Sequence, residues 1–178
     1  MGAVEQARAG TERLRTRVVT MADPGVRPMV DELTAEYADR YGPDTAAREM
    51  DAHPDAEFAP PHGGVVLVEE DGVPVAGGAF RRHDAGTAEL KRVWSSRAHR
   101  RRGLARRAVE ALEAEAARRG YTCVHLSTGP NQPEAVALYR ALGYALSDVE
   151  GVDPSGQRLY YAFAKALPDG RAEAVLRG

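Results

Sequence analysis

The sequence predicts a mixed α/β domain, a central sheet of about six to seven strands with helices on both faces. Three observations carry that expectation. Asp71-Gly72 separates the apolar runs "VVLVEE" and "VPVAGGAF", the mark of a tight antiparallel hairpin. A helical pattern then lies between the strand-like runs "TAELKRVW" and "YTCVHLST", and a strand-helix-strand crossover forces a parallel pair. The 178-residue length suits one such domain, expected over residues 16–167 with tails at 1–15 and 168–178.

The elements follow in order. "RVVTM" (17–21) is β-branched and reads as the first strand. Asp23 can cap the helix that follows, where Val30, Leu33, Tyr37 and Tyr41 recur at helical spacing until Gly42-Pro43 stops it. Residues 43–64 are polar and rich in Pro and Gly, a surface segment with one short helix near 45–51. The hairpin comes next, then the turn "HDAG" and a third strand, "TAELKRVW". Alternation there puts Glu89, Lys91 and Val93 on one face and Leu90, Arg92 and Trp94 on the other. Neither face is cleanly apolar, a pattern compatible with a β-bulge. A helix over about 102–119 carries Ala105, Val109, Leu112 and Ala116 on one stripe and closes at Gly120. After the strand "YTCVHLST", Pro133 opens a helix with Ala135, Leu138, Tyr139 and Leu142 on one face and Gly143 at its end. "YAL" and residues 158–167 read as two last strands around the polar loop 147–157.

Composition narrows the function. The formal net charge is −2, so the arginines between Arg97 and Arg107 are a local cluster on a slightly acidic protein. A dedicated nucleic-acid binder is basic overall, and no nucleic-acid partner is expected. The single cysteine, Cys123, excludes an internal disulfide and a cysteine zinc cage. The five histidines form no i, i+3 or i, i+4 pair, so a helical metal site is unsupported and no metal is expected. Cys123 and His125 read as core residues. No apolar run approaches the ~18 residues that span a membrane. The N-terminus lacks the apolar segment of a secretory signal, so a cytoplasmic location is the default expectation.

The chemistry concentrates in "SSRAHRRRGLARRA", which joins a strand to a helix. Such a turn presents unpaired backbone N–H groups at the positive end of the helix dipole, a setting for a pyrophosphate. Neither G-x-x-x-x-G-K-[ST] nor G-x-G-x-x-G is present. Present instead is Arg100-x-x-Gly103-x-Ala105, followed by "NQPEA" and "LYRALGY". In that order these segments resemble the central block of the GNAT family of N-acetyltransferases, whose acetyl-CoA signature is [Q/R]-x-x-G-x-[G/A]. The resemblance covers roughly residues 64–146, and the order of elements extends it to about 17–167. "SSRAH" departs from the proline-containing stretch of many relatives.

The resemblance implies acetyl-CoA as co-substrate, lying in a gap between two splayed parallel strands. The backbone amides of Arg101, Arg102, Gly103, Leu104, Ala105 and Arg106, after Arg100, would cradle its pyrophosphate. Val93, Trp94 and Ser95 would hydrogen-bond the pantetheine arm like an added strand. Glu89 reads either as a solvated strand residue or, by the family pattern, as the general base. Tyr139 reads as a core tyrosine or as the general acid for the leaving thiolate. Asn131 either bonds pantetheine or caps its helix. The activity implied is N-acetylation of a primary amine of a small molecule or peptide by direct attack. The alternative is a non-catalytic acyl-CoA-sensing or nucleic-acid-binding module on the same fold. Arg106, Arg107, Arg118 and Arg119 read as a solvated helix face partly paired with Glu110, Glu113 and Glu115. Acceptor-side segments hold Tyr37, Tyr41, Asp44, Glu49, Asp51, Asp55, Glu57, Asp148, Glu150 and Asp153, acidity that would suit a cationic amine but that polar loops also carry simply because they are wet, the preferred reading. Oligomeric state is open, relatives often being dimers.

Overall fold

A computed structural model describes residues 14–168. Seven strands form one mixed sheet: β1 (Leu14–Val19), β2 (Gly64–Glu70), β3 (Val73–Arg82), β4 (Thr87–Ser95), β5 (Cys123–Thr128), β6 (Ala145–Leu146) and β7 (Tyr161–Ala166). Their order is β1-β2-β3-β4-β5-β7-β6. Every pair is antiparallel except β4–β5. The helices are α1 (Arg27–Tyr41), α2 (Pro43–Asp51), α3 (Leu104–Arg118) and α4 (Pro133–Ala141). None is long and apolar enough to cross a membrane.

The sheet is buried on both faces, and β2 shows how. Val65 and Leu67 join Met29, Leu33 and Trp94 on the α1 side, whereas Val66 packs with Val109 and Leu112 of α3. The period of two thus splits one apolar run between two cores. Full burial of each such side chain stabilises by roughly 1.5–3 kcal/mol. Asp71 and Gly72 both take positive φ, 51° and 82°, as the expected hairpin turn requires. The stripe of α3 is Leu104, Ala108, Val109, Leu112 and Ala116. Ala105, expected in that stripe, is only half-buried.

Several boundaries move. The first strand begins at Leu14, not Arg17, and the rest of the expected N-terminal tail lies outside the described residues. The C-terminal tail lies there too, apart from Pro168. The polar segment 43–64 holds α2 and a 3-10 turn, Asp55–Phe58, whose Phe58 is buried. The last strand starts at Tyr161 because Arg158 instead bridges Val152 inside the preceding loop.

The β4 alternation expected from sequence is broken by a bulge. Gly77 pairs with Trp94 and Ala79 with Lys91, so Arg92 and Val93 together face Gly78. Arg92 takes φ of 57°, a left-handed conformation that adds local twist. As a result Leu90 and Val93 pack toward the α3 core while Trp94 enters the α1 core. A Cβ on Gly78 would lie 2.7 Å from Leu112 Cδ1 and 3.3 Å from Val93 Cα, so glycine lets the bulge close against α3.

Candidate active site

The parallel ladder between β4 and β5 lasts only three residues: Thr87, Ala88 and Glu89 oppose Cys123, Val124 and His125. Beyond Glu89, after which the bulge bends β4, the strands diverge. A cleft of about 1310 Å³ opens there, lined by both strands, α1, α2, the 99–106 loop and α4. Val93, Trp94, Ser95, Arg100, Arg101, Gly103, Leu104, Ala105, Arg106, Asn131 and Tyr139 all line it. Glu89 and Arg102 do not.

The loop reaches the cleft through its backbone. Arg101 and Gly103 take φ of 63° and 72°, which turns the chain into α3. This is why the helix starts at Leu104 rather than near 102. No side chain caps it, so the amides of its first turn lack intrahelical partners. A Cβ on Gly103 would meet nothing within 4 Å, leaving that side open to a ligand.

Most of the arginine side chains are engaged elsewhere. Arg102 holds Glu70 through both terminal nitrogens, at 2.9 and 2.6 Å. Arg100 reaches Glu36 at 3.1 Å, and Arg97 pairs with Asp39 at 3.5 Å. Arg106 pairs with Glu110 at 3.7 Å, as expected, while Arg107 bonds Thr16 and Leu14 of β1. The remaining helix pairing agrees only in part. Arg118 and Arg119 pair with Glu115 as expected, but Glu115 is buried beneath them, and Glu113 binds Tyr144 and Lys165 instead of an arginine. Those carboxylates are not a solvated face.

Tyr139 is buried and packs its ring near Tyr144 and Phe163. Burial, with a smaller contribution from Tyr37, pushes its phenol well above the usual range, so it stays neutral and able to donate. Asn131 is exposed and does not cap α4, whose N-cap is Gln132. Its backbone is fixed instead: the carbonyl accepts from Arg40 at 2.6 Å, and its N–H donates to Tyr41 Oη at 3.3 Å. Tyr41 also crowds Gly129, where a Cβ would lie 2.0 Å from Tyr41 Oη.

Glu89 is buried at the foot of the splay. Its carboxylate accepts from Arg81 at 2.9 Å and pairs with Lys91 at 2.9 Å, with His83 Nδ1 at 3.4 Å. Burial alone would raise its pKa, but Lys91, Arg81 and His83 outweigh burial and hold it below the usual carboxylate range. The solvated reading of Glu89 is therefore overturned. Its partner Lys91 does line the cleft.

Of the residues expected on the acceptor side, Tyr37, Tyr41 and Glu49 line the cleft, whereas Asp44, Asp51, Asp55, Glu57, Asp148, Glu150 and Asp153 do not. The wall is mixed in charge, since Lys91, Arg92 and Arg40 join it. Sequence reasoning missed Arg92. Its guanidinium lies over the Phe58 ring at 4.7 Å and donates to Met50 O at 3.1 Å and His53 O at 3.3 Å. It ties the bulge to the last turn of α2 and the segment after it. Beside Lys91 in a partly buried strand, it carried no local sign of this role.

Comparisons with known proteins agree with this geometry. A protein of Klebsiella pneumoniae subsp. pneumoniae MGH 78578, assigned as an acyl-CoA N-acyltransferase, superposes with TM-score 0.66 at 23% identity. It matches 87% of this chain and 98% of its own. A Salmonella typhimurium protein, assigned as an acetyltransferase and solved with acetyl-CoA, gives 0.61 at 20% identity, covering 89% and 96%. The PaiA N-acetyltransferase of Thermoplasma acidophilum, in complex with coenzyme A, gives 0.61 at 10% identity, covering 86% and 98%. At these identities the likeness is one of fold. A search of curated proteins returned no significant sequence match. Residues 28–144, from α1 through α4 to the residue just after the Gly143 turn, match the sequence model of the acetyltransferase (GNAT) family, and the chain belongs to that family.

Proposed function

We propose that the protein is an acetyl-CoA-dependent N-acetyltransferase that acts on a primary amine by direct attack within a ternary complex. The observation that carries this reading is the junction of an uncapped helix start at Gly103 with the splayed β4–β5 gap, both lining one cleft. The free amides from Arg101 to Arg106 suit a pyrophosphate. The edge of β4 from Val93 to Ser95, unpaired toward β5, suits the amide groups of pantetheine. Asn131 stands across the cleft as a further contact for that arm. Arginines tied into intramolecular ion pairs weigh against a nucleic-acid surface.

The amine must lose a proton before it attacks. Near pH 7.4 only about one in a thousand molecules of an amine with pKa ~10.4 is neutral. A base that accepts the proton contributes roughly 10²–10⁴-fold. Glu89 does not itself line the cleft, so in this reading the proton passes to it through water. The amine lone pair adds to the thioester carbonyl carbon, the C–S bond breaks, and the thiolate leaves. Tyr139, held neutral by burial, donates its proton or a hydrogen bond to that sulfur. A panel of primary amines incubated with acetyl-CoA and the enzyme, read by release of free CoA thiol, tests the proposal. Turnover with at least one amine is expected. Binding of CoA with no turnover on any amine would favour the acyl-CoA-sensing module.

A further inference from the structure

At the foot of the splay, three strands bring together side chains that lie far apart in sequence. His83 directly follows β3, Glu89 lies on β4 and His125 on β5. Their ligand atoms all lie within 4.8 Å of one another. His125 opposes Glu89 in the parallel ladder, and its ring stacks on His83 with 4.8 Å between centroids. Both ring nitrogens of His125 are buried and neither has a hydrogen-bond partner among the described residues. Its Nε2 lies 3.3 Å from Glu150 Oε1, near enough to attract but off hydrogen-bonding geometry. A buried polar group left unsatisfied costs about 1–3 kcal/mol, so the arrangement calls for a ligand.

We propose that His83, Glu89 and His125 form a three-ligand transition-metal site that takes a borderline divalent ion such as Zn²⁺ or Co²⁺, its fourth position left to water. Two imidazoles with one carboxylate suit such ions, whereas Ca²⁺ and Mg²⁺ prefer shells of oxygen. Donors ~2.0–2.1 Å from a tetrahedral ion stand about 3.3 Å from each other. His83 Nδ1 to Glu89 Oε2 is 3.4 Å, so one edge of the tetrahedron already has that spacing. His83, with a side chain 44% exposed, is free to close the remainder.

The charged groups around the imidazoles are Asp84, Glu89 and Glu150 against Arg81, Lys91 and Arg158. Arg81 and Lys91 both pair with Glu89, so a divalent ion competes with them for its oxygens. Arg81 also holds Glu57 and keeps that partner when the ion takes an oxygen of Glu89. An ion on Glu89 withdraws it from proton transfer, so Zn²⁺ inhibits acetyl transfer. That consequence rests on the proposed role of Glu89; the site itself does not.

Titration of the tag-free full chain with Co²⁺, followed by visible d–d absorption, tests the site. One saturable equivalent with a four-coordinate spectrum, displaced by Zn²⁺, is expected. His125→Gln and His83→Ala should each weaken binding at least about tenfold, with unfolding temperatures reporting that both variants fold. A flat titration, or a spectrum unchanged in both folded variants, would overturn the site. Turnover with added Zn²⁺ should fall in the natural chain and be spared in His125→Gln. Zn²⁺ binding without inhibition would overturn the inhibitory role and the part given to Glu89, while leaving the ion site standing.

Discussion

Tyr139 combines burial, a neutral hydroxyl and a place on the cleft wall. Replacing it with Phe keeps the ring and its contacts with Tyr144 and Phe163 and removes only the proton. We expect Tyr139→Phe to lower kcat by about 10²-fold with little change in KM for acetyl-CoA. Unchanged turnover in steady-state kinetics would strip Tyr139 of its part. Gly103 tests the other end of the cleft. At φ of 72° any side chain costs about 1–2 kcal/mol in the backbone, and a carboxylate would sit beside the amides that hold the pyrophosphate. Gly103→Glu should abolish CoA binding by calorimetry, whereas Gly103→Ala should keep much of it while lowering stability. Near-normal binding by the Glu variant would remove the loop from the CoA site. Both residues were legible in the sequence because their signals are local, a motif and its spacing. His125 was not, since its neighbours His83 and Glu89 come from other strands and meet only in the sheet. Glu89 was legible in type but not in setting. Alternation put Lys91 on its face, but no spacing rule reveals that Arg81 and His83 would flank it as well.

The β4 strand shows the same division at the scale of elements. The Asp71-Gly72 hairpin, the crossover helix and the parallel pair were all readable, because turn chemistry and hydrophobic period act within a few residues. The facing of β4 was not, because one extra residue at Arg92 inverts every side chain after it. The bulge depends on Gly78 yielding room under Leu112, which is a tertiary fact. Arg92 then fastens the bulge to the end of α2 and the chain after it through two carbonyls and the face of Phe58. Hydrogen bonds to charged groups contribute about 1.5–3 kcal/mol each, and the side chain is only 10% exposed. Arg92→Ala should therefore destabilise the fold by roughly 2–3 kcal/mol, less any relief of left-handed strain. Amide exchange over residues 50–58 should rise more than over α3. Uniform protection loss across the sheet, or none, would show that Arg92 does not anchor this segment.

The whole molecule is held across its cleft by charge. Arg40 on α1 binds Glu134 on α4 and the carbonyl of Asn131, while Glu36 links Arg40 to Arg100 of the loop. These bridges join the two walls that the β4–β5 splay separates. Burial alone would raise the pKa of Glu134, but its own backbone N–H and Arg40 outweigh burial and lower it. Asp23 is lowered too, first by the N–H of Gly25 and then, against slight burial, by Arg17, which bridges it to Glu69 on β2. A carboxyl whose folded pKa lies below its unfolded value binds fewer protons folded than unfolded. Its contribution is then fully present above the unfolded value, about 4 for these groups, and is lost as pH falls through the lower folded value. Both groups thus place the loss below about pH 4, with stability nearly flat from there toward neutrality as far as they are concerned. Because exposed pairs are screened by salt, the loss should be smaller in concentrated salt and complete at a higher pH. Arg40→Ala leaves Glu134 without its cation and should shift its titration upward toward the unfolded value. Thermal unfolding from pH 3 to 7, in the natural chain and in Arg40→Ala, checks this. A variant whose acid limb coincides with that of the natural chain would show that the Arg40 bridge does not hold the cleft together.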